Sequence, residues 1–206
     1  MITESYSEER ESLFSPGAFF GERKYICDTA IITFSGEIFQ AVIDRYPHRE
    51  VAYIGSANGH KAIYAVDING MEIVFYLSSI GACLAGIDII EMQWQTGVKN
   101  LIIFGSCGAL DSDATNGKYI IPTQAYRDEG MSYHYAPPAD YMEIKNSERL
   151  RRYLKSCAFR LSKVVFGQRT RHTAKQKLLL RRGKMTAVSR WKWSSRVFRQ
   201  SAIFTR

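Results

Sequence analysis

Residues 99–135, KNLIIFGSCGALDSDATNGKYIIPTQAYRDEGMSYHY, form the stretch from which the fold can be predicted. The stretch opens with a short apolar run, residues 101–104, and a second apolar run, residues 119–121, follows after a polar loop. Short apolar runs bounded by turn residues are typical of strands in a sheet that is covered on both faces. We therefore expect two buried strands here, the first of which ends at Gly105.

The segment Gly105-Ser106-Cys107-Gly108, called the 105–108 segment below, has the composition of a ligand-binding turn. Glycine lets a ligand approach the backbone, and backbone N–H groups together with the Ser106 hydroxyl can donate hydrogen bonds to an anion or a sugar. A Gly-x-x-Gly spacing alone more often marks an ordinary turn at the end of a strand. The segment is therefore a candidate site that needs support from the rest of the chain.

The composition is that of a globular protein of 206 residues, enough for one domain with a sizeable core. The most apolar window, residues 73–90, is interrupted by Ser78, Ser79 and Asp88, so we expect no membrane span. The acidic start, MITESYSEERE, does not resemble a secretory signal. The cysteines lack the C-x-x-C spacing of a zinc site, which predicts a reduced cytoplasmic protein without a bound metal. They are Cys27, Cys83, Cys107 and Cys157.

Charge divides the chain sharply in two. Residues 1–148 contain all 20 acidic residues and 10 basic ones, whereas residues 149–206 contain 18 basic residues and no acidic one. The overall charge of +8 therefore averages a balance of −10 and a balance of +18. Such an asymmetry needs an explanation of its own, separate from that of the fold.

The first half of the chain alternates predicted strands and helices. Residues 28–34 predict a strand, Ser35-Gly36 a turn and residues 37–45 a helix, while Asn69-Gly70 between two apolar runs predicts a type I′ hairpin. A second helix, ended by Gly97, is indicated by four apolar residues at helical spacing. They are Leu84, Ile87, Ile90 and Trp94. This alternation favours an α/β fold with a mostly parallel sheet.

Three longer motifs carry a resemblance to a known family. They are GSCGA from Gly105, GKYIIPT from Gly117, and RDEGMSYHYAP from Arg127. Together they resemble the nucleoside phosphorylase family, which holds the purine nucleoside and uridine phosphorylases, over about residues 29–156. The resemblance implies a three-layer α/β/α protein, usually a hexamer or trimer, that cleaves the N-glycosidic bond of a nucleoside with phosphate. A sister branch of nucleosidases uses water instead.

The resemblance also implies roles for individual residues. Ser106 and Gly105 would contact phosphate and ribose, and Cys107 and Gly108 would lie near the base. Gly81 would lie near the sugar, in the segment Ser78-Ser79-Ile80-Gly81, called the 78–81 loop below. Inorganic phosphate would be a co-substrate, and no cofactor or metal is implied. No catalytic residue is assigned.

Two departures from the family pattern weaken the expected binding of phosphate. Ile103 stands where the phosphorylases often have arginine, and residues 33–37 lack the arginine of the family's Gly-Asp-Pro-x-Arg loop. A guanidinium that binds phosphate through two hydrogen bonds is hard to replace, so hydrolysis competes with phosphorolysis as the expected reaction. For Arg127 and His134 we expect a solvated arginine and a packed histidine rather than catalytic groups.

The basic tail, residues 157–206, lacks the base-binding and ribose-binding segments of the family. Codons shifted by one position would allow residues 166–176 to encode WTTDAPYRET, and residues 188–194 to encode LAVEME. Both missing motifs thus arise in order in one alternative frame. We therefore predict an incomplete domain over residues 1–156, followed by a poorly ordered tail translated out of frame from near Cys157, with impaired activity.

Two functions of other classes stay open. The tail interleaves its basic residues with Trp191, Trp193 and Phe198, a mixture that can bind nucleic acid without sequence specificity. The chain could also be an inactive remnant that only assembles with relatives.

Overall fold

The chain forms two compact units, an amino-terminal unit, Glu9–Phe104, and a carboxyl-terminal unit, Gly105–Arg206 together with Met1–Glu8. The computed structural model describes residues 4–7, 14–57, 59–109, 111–168, 187–189 and 199–205. The division between the units differs from the predicted boundary after Ser156, which stays a prediction.

The sheet of the amino-terminal unit is mixed, with the strand order β5-β1-β4-β3-β2. Strand β1 pairs in parallel with β4 and β5, whereas β2-β3-β4 is an antiparallel meander. The strands are β1 (Thr29–Thr33), β2 (His48–Ser56), β3 (Gly59–Ile68), β4 (Met71–Leu77) and the first half of β5 (Asn100–Ala109). At the β3–β4 turn, Asn69 and Gly70 have φ of 55° and 83°. Two positive φ angles are those of a type I′ turn, so the predicted hairpin is confirmed.

Three helices accompany this sheet, α1 (Pro16–Phe20), α2 (Gly36–Arg45) and α3 (Ala82–Thr96). Ser35 caps the start of helix α2, because its hydroxyl accepts a hydrogen bond from Ile38 N at 3.3 Å. Helix α3 ends at Gly97 in the left-handed conformation, as predicted. Helix α1 was not predicted. Gly21, the residue that follows it, is held to α3 by a hydrogen bond that Trp94 Nε1 donates to Gly21 O at 2.7 Å.

Helix α3 does not bury the face that its apolar spacing indicates. Leu84 and Ile87 are 55% and 52% exposed, whereas Asp88 and Glu91 are only 4% and 5% exposed. The helical spacing therefore predicted the helix correctly but not its buried side. The two carboxylates accept backbone hydrogen bonds from neighbouring segments, and this explains how polar side chains can occupy the inner face.

The carboxyl-terminal unit contains strands that pair mainly around β6 (Tyr119–Tyr126). Strand β6 lies between β8 (Leu161–Gln168) and β10 (Arg199–Thr205), both parallel to it, and also pairs with β7 (Tyr141–Glu143) in antiparallel orientation. Strand β9 (Ala187–Ser189) runs parallel to β8 and antiparallel to the end of β5. The helices are α4 (Ser112–Thr115) and α5 (Ser147–Ser156), and a 3-10 turn covers Met131–His134.

Two features of this unit differ from the sequence-based expectations. Strand β5 does not end at Gly105 but runs to Ala109, because Gly108 and Ala109 pair with β9 and so keep an extended backbone. Strand β8 continues the sheet beyond Ser156, pairing with β6 from Leu161 to Gly167. Most of the predicted out-of-frame tail lies outside the described residues, so its predicted disorder and translation frame stay predictions.

The fold is α/β with a mixed central sheet, as the sequence predicts. In the part of the chain that the structure describes, no helix has both the length and the apolarity needed to span a membrane.

Candidate functional site

Strands β1 and β4 of the amino-terminal unit end at one edge of the sheet, and the neighbouring parallel strand β5 continues beyond Phe104 to Ala109. Thr33 at the end of β1 lies beside Leu77 of β4 on one side and beside Phe104 of β5 on the other. In open α/β sheets, ligands bind beyond the carboxyl ends of parallel strands. The segments that leave this edge are Ser35-Gly36 and the 78–81 loop, whereas the 105–108 segment continues strand β5.

The 78–81 loop joins β4 to α3 and is anchored at its start. Ser78 is buried, and its N–H donates to Thr33 O at 2.9 Å, which extends the β1–β4 pairing by one step. Gly81 precedes α3 with a φ of 106°, a conformation that favours glycine. A Cβ atom at Gly81 would meet nothing within 4 Å, so the loop has open space beside this residue.

Lys61 and Asp88 hold the middle of this loop. The Ser79 N–H donates to Asp88 Oδ2 at 2.8 Å, and Lys61 Nζ lies 3.2 Å from the same oxygen. Lys61 Nζ also donates to the Ser79 hydroxyl. Sequence reasoning assigned no role to Lys61 or Asp88, although an aspartate inside the most apolar window of the chain was a usable signal.

Tyr76 lies fully buried near this group, and its hydroxyl makes no hydrogen bond within the described part of the chain. Ser78 Oγ donates to Ser79 O at 3.0 Å. Burial raises the pKa of Tyr76, the Asp88 carboxylate raises it further, and the Ser78 side chain lowers it. The phenol is therefore neutral at physiological pH.

The second buried carboxylate of α3 serves another segment. Glu91 Oε1 accepts hydrogen bonds from Gly55 N at 3.0 Å and from Gln95 Nε2 at 2.9 Å. Gln95 in turn donates to Tyr53 O at 2.9 Å. Glu91 thus fastens β2 to α3 and makes no contact of this kind with the 78–81 loop.

The 105–108 segment lies in the carboxyl-terminal unit, and its four residues are extended along β5. Ser106 is exposed, so its hydroxyl is accessible to a ligand, while Gly105 is half-buried. Gly108 is engaged in the sheet opposite Val188. Gly81, the fifth predicted site residue, belongs to the amino-terminal unit.

Cys107 is buried, and burial raises the pKa of its thiol to about 11. A thiol with so high a pKa is protonated at physiological pH and is a poor nucleophile. A covalent role for Cys107 is therefore not supported by its surroundings.

Arg127 is buried, contrary to the expected solvated arginine. Its guanidinium donates to Ser132 Oγ at 2.8 Å and to the backbone oxygens of Pro137 and Ala136 at 2.6 and 3.3 Å. His134 is exposed rather than packed. Arg127 therefore stabilises the segment that follows β6, because its guanidinium satisfies the backbone carbonyl oxygens of that segment.

Among the described residues, no group of three His, Cys, Asp or Glu side chains is placed to hold a metal ion. The aromatic residues proposed for nucleic-acid binding, Trp191, Trp193 and Phe198, lie outside the described residues.

A comparison with curated proteins finds a sequence relative. The chain is 33% identical over 81 residues to uridine phosphorylase of Haemophilus influenzae, a match that covers 39% of this chain and 31% of the relative. The chain thus matches about a third of the length of that curated relative.

Solved structures of low sequence identity share the fold. Purine nucleoside phosphorylase from Toxoplasma gondii has a TM-score of 0.63 at 16% identity, over 79% of this chain and 66% of its own. Futalosine hydrolase of Helicobacter pylori has a TM-score of 0.61 at 15% identity, over 81% of this chain and 78% of its own. A 5'-methylthioadenosine/S-adenosyl homocysteine nucleosidase from Helicobacter pylori has a TM-score of 0.61 at 15% identity, over 81% and 75%.

The sequence profile of the phosphorylase superfamily matches residues 28–182, which is most of the chain and includes the aligned strand ends and the segments that follow them. On this evidence the chain belongs to the phosphorylase superfamily.

Proposed function

We propose that the chain is a nucleoside phosphorylase that binds a nucleoside at the carboxyl edge of its parallel strands and cleaves the N-glycosidic bond. The observation that carries the proposal is the alignment of Thr33 with Leu77 at the ends of β1 and β4, after which Ser35-Gly36 and the 78–81 loop leave the sheet. Exposed Ser106 and the open space beside Gly81 support access for a hydroxyl-rich ligand. The likeness to a uridine phosphorylase supports the same substrate class.

The proposed reaction displaces the base from C1′ of the sugar, which gains positive charge as the bond to nitrogen breaks. The protein must orient the sugar, place the attacking phosphate oxygen and stabilise the charge that leaves with the base. We propose that Gly105, Ser106 and Gly81 contact phosphate and ribose and that Cys107 and Gly108 lie near the base. Inorganic phosphate is then a co-substrate that becomes bonded to C1′.

Hydrolysis is the second candidate, and a specific observation favours it. Ile103 in β5 and residues 33–37 supply no arginine at the two positions where the family's phosphorylases grip phosphate. Water needs no such cation, so the missing guanidinium groups favour hydrolysis over phosphorolysis. The structural relatives include hydrolases as well as a phosphorylase.

The decisive experiment measures base release from uridine, inosine and adenosine with and without inorganic phosphate. Release that requires phosphate and yields a sugar phosphate supports phosphorolysis, and release at the same rate without phosphate supports hydrolysis. Absence of both nucleoside binding and base release would refute the proposed function. We expect slow turnover at most, because the chain lacks the family's base-binding and ribose-binding segments.

Sequencing the DNA from the codon of Cys157 onward tests why those segments are absent. An interrupted reading frame whose alternative reading encodes WTTDAPYRET and LAVEME supports a frameshift. A continuous gene without these motifs refutes it. We also propose a homo-oligomer, which light scattering of the purified chain would measure directly.

A further inference from the structure

Helix α3 buries two carboxylates while it exposes Leu84 and Ile87. Asp88 and Glu91 are 4% and 5% exposed, although aspartate and glutamate are rarely buried unless they are paired. Burying a carboxylate carries a desolvation cost that its hydrogen bonds must offset. An arrangement of this kind in a helix with apolar residues available for the core calls for a reason beyond packing.

For Asp88 the reason lies in the 78–81 loop. A single oxygen, Oδ2, accepts from the Ser79 N–H at 2.8 Å and lies 3.2 Å from Lys61 Nζ. Lys61 comes from β3 and Asp88 from α3, so the loop residue Ser79 is held by two elements at once. Lys61 also donates a hydrogen bond to the Ser79 hydroxyl, so the backbone N–H and the hydroxyl of Ser79 are both hydrogen-bonded.

The same group reaches the surface of the protein. The Lys61 side chain is 40% exposed, whereas the Asp88 side chain is 6% exposed. The buried carboxylate therefore acts on a segment that solvent and ligands can approach. The neighbouring Tyr76 phenol is neutral, so it adds no second negative charge to compete for Lys61.

We propose that Asp88 is a positioning residue that sets the conformation of the 78–81 loop for sugar binding, with Lys61 as its counter-ion. This inference rests on the proposed function, in which Gly81 contacts the ribose. Asp88 touches no substrate itself. It acts by fixing Ser79, two residues before Gly81, so that the backbone at Gly81 is presented in one conformation.

Glu91 provides a matched control for this role. It is a buried carboxylate one turn further along the same helix and also accepts a backbone N–H, at 3.0 Å, but from Gly55 in β2. Replacing either carboxylate by alanine removes a charge-assisted hydrogen bond from a buried site, so we expect similar losses of stability. Only the loss of Asp88 releases the 78–81 loop.

The experiment compares D88A and E91A in the full chain, at a temperature where both are folded. The dissociation constants of uridine, inosine and adenosine are measured by calorimetry, and stability is measured by denaturant unfolding. We expect D88A to weaken nucleoside binding about tenfold, and E91A less than about twofold, because one lost charge-assisted hydrogen bond is of this order. D88N should fall between D88A and the unsubstituted chain, since an amide oxygen can still accept from Ser79 but does not attract Lys61.

The outcomes separate the two claims. If the unsubstituted chain binds none of the nucleosides, the proposed function fails. If it binds one, and D88A and E91A bind it equally well, the positioning role of Asp88 is refuted while the proposed function stands. Where D88A does not fold, D88N and K61M replace it, and unchanged dissociation constants in both would refute the role.

Discussion

The Arg127 guanidinium lies 4.0 Å from the centre of the Tyr133 ring, in a segment where its hydrogen bonds go to carbonyl oxygens and a hydroxyl. A cation over an aromatic face is attracted to the ring, and the attraction is stronger where both groups are desolvated. The planar fork of arginine can reach several acceptors at fixed angles, which the ammonium of lysine cannot. Arg127 is therefore a structural centre of the segment after β6.

Substituting lysine at Arg127 should destabilise the protein even though the charge is kept. We expect R127K to lower the free energy of unfolding by about 2 kcal/mol, because several hydrogen bonds to a buried charged group are lost. Denaturant unfolding measures this directly. The same substitution at Arg49, an exposed residue paired with Glu72 at 2.9 Å, should have little effect. Equal stability of R127K and R49K would contradict the assigned role.

Removing the hydroxyl of Tyr76 should not harm the fold. The phenol is fully buried and unpaired, so Y76F should leave the free energy of unfolding unchanged or raise it by up to about 1 kcal/mol. Y133F serves as the comparison, because Tyr133 Oη donates to Arg127 O at 3.3 Å and that bond would be lost. A clear loss of stability in Y76F by thermal unfolding would mean that its hydroxyl has a partner.

Cys107 should make stability depend on pH above pH 9. Burial raises the pKa of its thiol from 9.0 to about 11, so in this range the unfolded chain loses the thiol proton before the folded chain does. The folded state is then disfavoured as pH rises, by at most about 1.4 kcal/mol per pH unit. Unfolding of the unsubstituted chain and of C107A, measured from pH 7 to pH 11, tests the sign.

The stability difference between the unsubstituted chain and C107A should be constant below pH 9 and should shift in favour of C107A between pH 9 and pH 11. Parallel curves over the whole range would show that the thiol has the same pKa in both states.

Gly97 should tolerate alanine worse than Gly117 does, although both have a positive φ, 73° and 65°. At Gly117 a Cβ meets nothing within 4 Å, so G117A should cost about 1 kcal/mol for the positive φ alone. At Gly97 a Cβ would lie 2.8 Å from Lys24 O and from Tyr25 Cδ2, so G97A should cost about 3 kcal/mol. Similar melting temperatures for the two variants would show that the backbone at Lys24 and Tyr25 can shift to make room for the added Cβ at little cost.

Elements with local signals could be predicted from the sequence. The Asn69-Gly70 turn, the start of α2 at the predicted Ser35-Gly36 turn and the Gly97 end of α3 depend on the conformations that these residues adopt within a few positions. The family was also within reach, because the motifs that begin at Gly105 and Arg127 are contiguous in the chain. Helix α1 was missed although Ser15 precedes Pro16 at its first position, because five residues are too few for an apolar repeat and its anchor, the bond from Trp94 to Gly21, is remote in sequence.

The candidate site was predictable only in part. The 105–108 segment and the 78–81 loop stood out by their glycines and hydroxyls, but the strand through Gly108 depends on pairing with β9, which no local pattern indicates. The partnership of Lys61 with Asp88 joins residues 27 positions apart and was missed for the same reason.

By itself, the sequence determined the α/β class, the order of most strands and helices, and the superfamily, because turn residues, caps and contiguous motifs act over a few neighbours. Only the tertiary structure decided which side of α3 is buried and why. Apolar spacing favours burying Leu84 and Ile87, but the inner face of that helix meets backbone N–H groups that need acceptors, and Asp88 and Glu91 supply them. That choice depends on groups brought together from distant parts of the chain, so no pattern along one helix could reveal it.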